Sequence, residues 1–144
     1  MLRNPQGLVT TNFLTYEDVI LEIEWVNESR LPTIVGFQLN NMRGVVVMTA
    51  YDTPDDWDGS KKKERATYRT RAVIPKNLLS ANQYSLHLAL DCPSPRVCLD
   101  THPDALHFTV HDPMDEKCLA RGALKNPLDY MAVLPALEWK SEKI

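Results

Sequence analysis

Residues 78–90 read Leu78-Leu79-Ser80-Ala81-Asn82-Gln83-Tyr84-Ser85-Leu86-His87-Leu88-Ala89-Leu90. From Tyr84 onward an apolar residue falls at every second position, with Ser85, His87 and Ala89 between them. Successive side chains of a strand point to opposite faces, so the alternation predicts an antiparallel strand with one buried and one wet face. The residues just before it read as a corner, in which Asn82 tolerates the left-handed backbone that a sharp turn needs. A Tyr at the start of a late strand, its hydroxyl returning to the backbone a few residues upstream, is the tyrosine corner of immunoglobulin-like sandwiches. The plainer alternative is a Tyr that merely packs where a strand enters the core. Corner spacing, turn residue and strand coincide here, and together they favour the corner.

Working outward, the same period recurs. Val19, Leu21, Ile23 and Trp25 alternate with Glu22 and Glu24; Val35, Phe37 and Leu39 alternate with Gly36, Gln38 and Asn40. Asn41-Met42-Arg43-Gly44 reads as a hairpin turn closed by Gly, and the β-branched run Val45–Tyr51 follows it. Tyr68, Thr70, Ala72 and Ile74 alternate with Arg69 and Arg71, and Leu106, Phe108 and Val110 with His107 and Thr109. Cys92–Pro103, with three Pro, and the polar Pro113–Pro127 read as loops. Leu128–Trp139 is a last apolar run, which Pro135 confines to an edge or an interface. Seven strand-like runs with no amphipathic helix and no repeat predict an all-β, immunoglobulin-like antiparallel β-sandwich. A barrel is the alternative. We expect a single domain over residues 1–144, with an irregular N-terminus (1–14) and the C-terminal strand (128–139) at a dimer interface, since apolar edges invite pairing.

Composition narrows the function classes. The chain is 44% apolar and 24% charged, which is globular. Its formal charge of -3 argues against nucleic acid or an anionic membrane as the main partner, because both require a basic surface. No apolar run approaches the roughly 18 residues of a membrane span, and MLRNPQGLVTTNF lacks the apolar core of a signal peptide. Cys92, Cys98 and Cys118 are the three cysteines; a Cys92–Cys98 bridge is one option, reduced thiols the other.

Catalytic signatures are thin. Gly59-Ser60-Lys61 lacks the Walker spacing that wraps backbone amides around phosphates. Asp52, Asp55, Asp56 and Asp58 supply hard oxygens for Ca²⁺, but EF-hand spacing fails, and a solvated loop facing Lys61–Lys63 explains them. His107 and His111 are four residues apart, about 13 Å along a strand, too far to share a metal. There is no nucleophile elbow and no singled-out acid pair, so a glycosidase stands third among the readings. We expect no catalytic residue, metal or cofactor.

The ordered pieces Phe37–Gly44, Ile74-Pro75 with Leu79–Leu86, Asp104–Val110 and Val133–Trp139 together resemble a known family. It is the C-terminal carbohydrate-binding domain of Wzt-type ATPase subunits, from ABC transporters that export O-antigen polysaccharide. There the corner favours Leu-x-Pro-Gly-x-Tyr-x-Leu; Ala81 and Asn82 depart from its Pro-Gly. The resemblance covers residues 12–139. It implies non-catalytic binding of the exported glycan near its non-reducing end, at the cytoplasmic face of the inner membrane. It also implies a homodimer in which the last strand can be exchanged, partnered by an ATPase domain on a separate part of the full-length subunit and by the transporter's membrane subunit. A structural, dimerising sandwich without glycan binding is the runner-up.

Sugars are gripped by an aromatic face against C–H groups and by planar polar side chains at hydroxyls. If the Gln38, Tyr84 and Phe108 strands share a sheet, its wet face carries Gln38, Asn40, Ser85, His87, His107 and Thr109. An ordinary hydrophilic face is the competing explanation. Trp57, in the Asp-rich loop, is the candidate for stacking; Trp25 and Trp139 read as core or interface. Glu22 and Glu24 opposite Arg69 and Arg71 read as cross-strand ion pairs, with a grip by Arg65, Arg69 and Arg71 on an anionic sugar or a phosphate cap as second choice.

Overall fold

The computed structural model describes residues 1–28, 31–53, 64–126 and 128–143. Eight strands carry them: β1 (Leu2–Arg3), β2 (Asn12–Leu14), β3 (Val19–Val26), β4 (Ile34–Asn41), β5 (Val46–Tyr51), β6 (Thr67–Ile74), β7 (Asn82–Pro93) and β8 (Arg96–His111). They form a three-stranded sheet, β1-β3-β6, and a five-stranded sheet, β2-β8-β7-β4-β5. No described residue is helical. Each sheet offers one apolar face, and the two faces meet. Leu2, Val19, Leu21 and Ile74 pack from the smaller sheet against Phe13, Phe37, Leu39, Tyr84, Leu86, Phe108 and Val110 from the larger. The all-β sandwich expected from the alternation is therefore the fold.

The corner has the expected chemistry. Tyr84 is 2% exposed and its ring stacks on Phe108 at 5.4 Å and 22°. Its hydroxyl donates to the Ser80 carbonyl at 2.9 Å. Ser80 Oγ lies 3.1 Å from the Tyr84 oxygen and donates to the Met131 carbonyl at 2.6 Å. Burial pushes the Tyr84 phenol above its ordinary pKa, partly offset by these Ser80 contacts. Across the smaller sheet, Glu24 faces Arg69 and Glu22 faces Arg71 in register. Arg69 pairs with Glu24 at 2.5 Å, whereas Glu22 takes Arg3 at 2.8 Å and so ties β1 to β3. That hydrogen bond from Arg3 holds the Glu22 carboxyl below its usual range.

Several expectations change. Residues 1–14 contain two short strands, and β2 runs parallel to β8, so the larger sheet is mixed. Asn82 belongs to β7; the left-handed residue is Asn77, at φ 59°, in the turn just upstream of the corner. Cys92–Pro103 is no loop but the distal half of a long β7–β8 hairpin. Its register puts Asp91 opposite Cys98 and Cys92 opposite Val97, so the two cysteines point to opposite faces and cannot bond. All three thiols are free.

Leu128–Trp139 forms no strand. It runs irregularly along the corner, joined by the isolated Leu79–Val133 bridge and by Leu134 N–H to the Leu78 carbonyl at 2.8 Å. Trp139 is 85% exposed, so it is not core in the single chain. The turns between β8 and this segment are held from inside by Arg121. It pairs with Asp112 at 2.7 Å, with both side chains almost wholly buried, and donates to the Gly122, Leu124 and Asp115 carbonyls.

Candidate functional site: the outer face of the five-stranded sheet

The core side chains Phe37 and Leu39 of β4 are odd-numbered and the buried residues of β7 and β8 even-numbered, so the alternate positions form the outward face. Register arranges that face in rows. One row crosses Val46, Asn40, Ser85 and His107. Beyond it lies Gln83–Thr109–Asn12. On the other side come Thr49, Gln38 and His87, then Tyr51, Gly36, Ala89 and Thr101. The Gln38 side-chain N–H₂ donates to Asn40 Oδ1 at 3.0 Å, which orients both amides.

A groove of about 720 Å³ lies over the first two rows, lined by Gln38, Asn40, Gln83, Ser85, Asp104, His107 and Thr109 among others. Two backbone irregularities shape it. Between Leu86 and Leu88 the β8 partner jumps from Leu106 to His102, so extra residues bulge from the ladder and Asp104, at φ 51°, reaches the groove. At the other wall, the turn after β4 is built by Asn41. Its Oδ1 accepts the Arg43 and Val45 N–H groups, each at 3.0 Å, and Gly44 takes φ 74°. Met42 and Gly44 line that rim.

The expected site residues thus mostly converge. Gln38, Asn40, Ser85, His107 and Thr109 line one groove. His87 sits one row away, its Nε2 2.6 Å from Thr101 Oγ1, in a neighbouring hollow that also includes Gln38. Trp57 lies outside the described residues, as do Asp55, Asp56, Asp58 and Lys61–Lys63. Gln83 and Asp104 were missed. Gln83 precedes the first apolar residue of the alternation, and Asp104 owes its position to a bulge that periodicity does not register.

A second cleft, about 790 Å³, opens between the sheets at the opposite end of the sandwich. Trp25, Val35, Leu88, Leu90 and Leu99 floor it, and Trp25 stacks on Tyr68 at 4.9 Å and donates to Thr70 Oγ1 at 3.1 Å. Glu24, Asn27, Thr33, Asp100 and His102 also line it, beside the Trp25 ring. Among the described residues no three His, Cys, Asp or Glu side chains converge as metal ligands. His102 instead contacts Asp100, and His111 contacts Asn12, each at 3.2 Å.

Against known proteins, no protein-family model matches the chain, and no curated protein matches it. Among solved structures it is similar to the crystal structure of the C-terminal domain of Wzt, with a TM-score of 0.71 and 11% identity. The match covers 99% of this chain and 80% of that one. At that identity the shared property is the fold.

Proposed function

We propose that this chain is a non-catalytic glycan-binding module that recognises a bacterial cell-surface polysaccharide near its non-reducing end. It serves as the substrate-recognition domain of an ABC exporter, at the cytoplasmic face of the inner membrane. Its partners are the exporter's ATPase domain and membrane subunit, and it works as a homodimer. One observation carries the reading: five side chains chosen for an uncharged, hydroxyl-seeking face line a single open groove. Amide, imidazole and hydroxyl groups, with the lone carboxylate of Asp104 among the described lining residues, match the paired donors and acceptors of vicinal sugar hydroxyls. The similarity of fold to the Wzt C-terminal domain supports the exporter context.

Calorimetric titration with fragments of the source organism's surface polysaccharide tests it. Binding that is weakened by Gln38→Ala and by His107→Ala, at unchanged thermal stability, is expected. No binding of any fragment refutes it.

A second reading, a dimerisation domain, draws on the C-terminal segment, where Tyr130, Leu137 and Trp139 are largely exposed. Light scattering of a chain truncated at Pro127 separates the two. Full glycan binding by the truncated monomer removes dimerisation as the primary role.

A further inference from the structure

The outward face does not end at Gln38. Tyr51, on edge strand β5, stands opposite Gly36 on β4. A Cβ at Gly36 would overlap the Tyr51 ring, so only a glycine leaves room for the ring to come this close to the strand. Tyr51 remains 49% exposed, with the Cδ1–Cε1 side of its ring nearest Gly36. Around it, His87, Thr101, Thr49 and Gln38 line a hollow of about 230 Å³. The His87–Thr101 contact at 2.6 Å fixes the imidazole that walls it.

Gln38 lines both this hollow and the main groove, so the two are neighbours that meet at one side chain. It stands two residues along β4 from Gly36, about 7 Å. Having given one amide N–H to Asn40, Gln38 retains a second N–H and its carbonyl oxygen for a ligand.

We propose that the glycan site continues past Gln38 into a second subsite, where the exposed face of Tyr51 stacks against a further sugar residue. This rests on the glycan-binding reading above. The chemistry is that of sugar recognition: an aromatic ring for a C–H face, flanked by an imidazole, an amide, two hydroxyls and the Asp91 carboxylate, with the Cys98 thiol beside them. The shared Gln38 bridges adjacent residues of one saccharide. The occupant is therefore a linear oligosaccharide, not a single terminal sugar. A Tyr on an edge strand across from a Gly also covers that glycine structurally. That role affects stability and leaves affinity untouched, which is how the two are told apart.

The test titrates wild type, Tyr51→Ala, Tyr51→Leu and Tyr51→Phe with partial-hydrolysis fragments of the source organism's surface polysaccharide, separated by length. Tyr51→Leu still covers Gly36 but has no ring. Wild-type affinity is expected to rise with length. Tyr51→Ala and Tyr51→Leu should match wild type for the shortest fragment bound and lose about tenfold for longer ones, with Tyr51→Phe restoring the gain. Wild-type affinity of both ring-less variants at every length overturns the second subsite alone, as does an equal loss at every length. Failure of wild type to bind any fragment overturns the glycan reading and this subsite together.

Discussion

Replacing Tyr84 by Phe removes one oxygen from the corner and nothing else, and the structure says what that oxygen does. Its single proton goes to the Ser80 carbonyl at 2.9 Å, while the single Ser80 hydroxyl proton goes to Met131. The ring keeps its stack on Phe108, so the packing term is unchanged. What is lost is the partner of a carbonyl in a residue that is 0% exposed. Leaving such a group unpaired costs about 1–3 kcal/mol. At a urea m-value of about 2 kcal/mol/M, the midpoint should fall by roughly 0.5–1.5 M with m itself unchanged. The thermal midpoint should fall by about 2–4 °C for each kcal/mol. Alkaline titration gives a second handle. The Tyr84 phenol is raised by burial, so its neutral form is favoured by folding. Its stabilising share is whole below about pH 10 and is lost as pH rises through the higher folded value. The gap between wild type and Tyr84→Phe should therefore narrow above pH 10. A loss below about 0.5 kcal/mol at neutral pH would mean that water replaces the hydroxyl, and the corner would not be a structural hydrogen bond.

Other variants separate further contacts. Arg121→Met strands the buried Asp112 carboxylate and should cost about 3–5 kcal/mol by urea denaturation, with Arg121→Met/Asp112→Leu recovering most of it; a loss under about 1 kcal/mol would contradict the buried pair. Gly44→Ala forces a side chain into φ 74° and should destabilise by about 1 kcal/mol, although space there is open. Asn40→Ala should weaken glycan binding about three- to tenfold with no change in thermal midpoint, since Asn40 is partly exposed and lines the groove.

Much of the sandwich could be read from alternation because one face of each long strand is buried, so a one-residue slip would turn the core outward. The Tyr84 strand, the β3–β6 ion-pair register and the hairpin turn at Asn41–Gly44 all follow from that constraint. Other features were hidden for physical reasons. Two- and three-residue strands such as β1 and β2 are too short to show a period. Pro93 and Pro95 sit at the tip of the long hairpin and Pro103 at its bulge, where the ladder is interrupted, so prolines that signal a loop are tolerated in a strand region. Leu128–Trp139 is tied to the corner by backbone contacts and extends no sheet, while Tyr130, Leu137 and Trp139 stay exposed, so its apolar run does not mark a strand. The face of the site was legible once Gln38, Tyr84 and Phe108 were assigned to one sheet. Tyr51 was not, because its position follows from the bare backbone of Gly36 across from it.

Backbone amide NMR during titration with sized surface-polysaccharide fragments asks most directly whether the outer face grips a saccharide. Shifts should concentrate at Gln38, Asn40, Gln83, Ser85, His107 and Thr109. Shifts centred instead on Trp25 and Leu90 between the sheets, or none at saturating fragment, would contradict it.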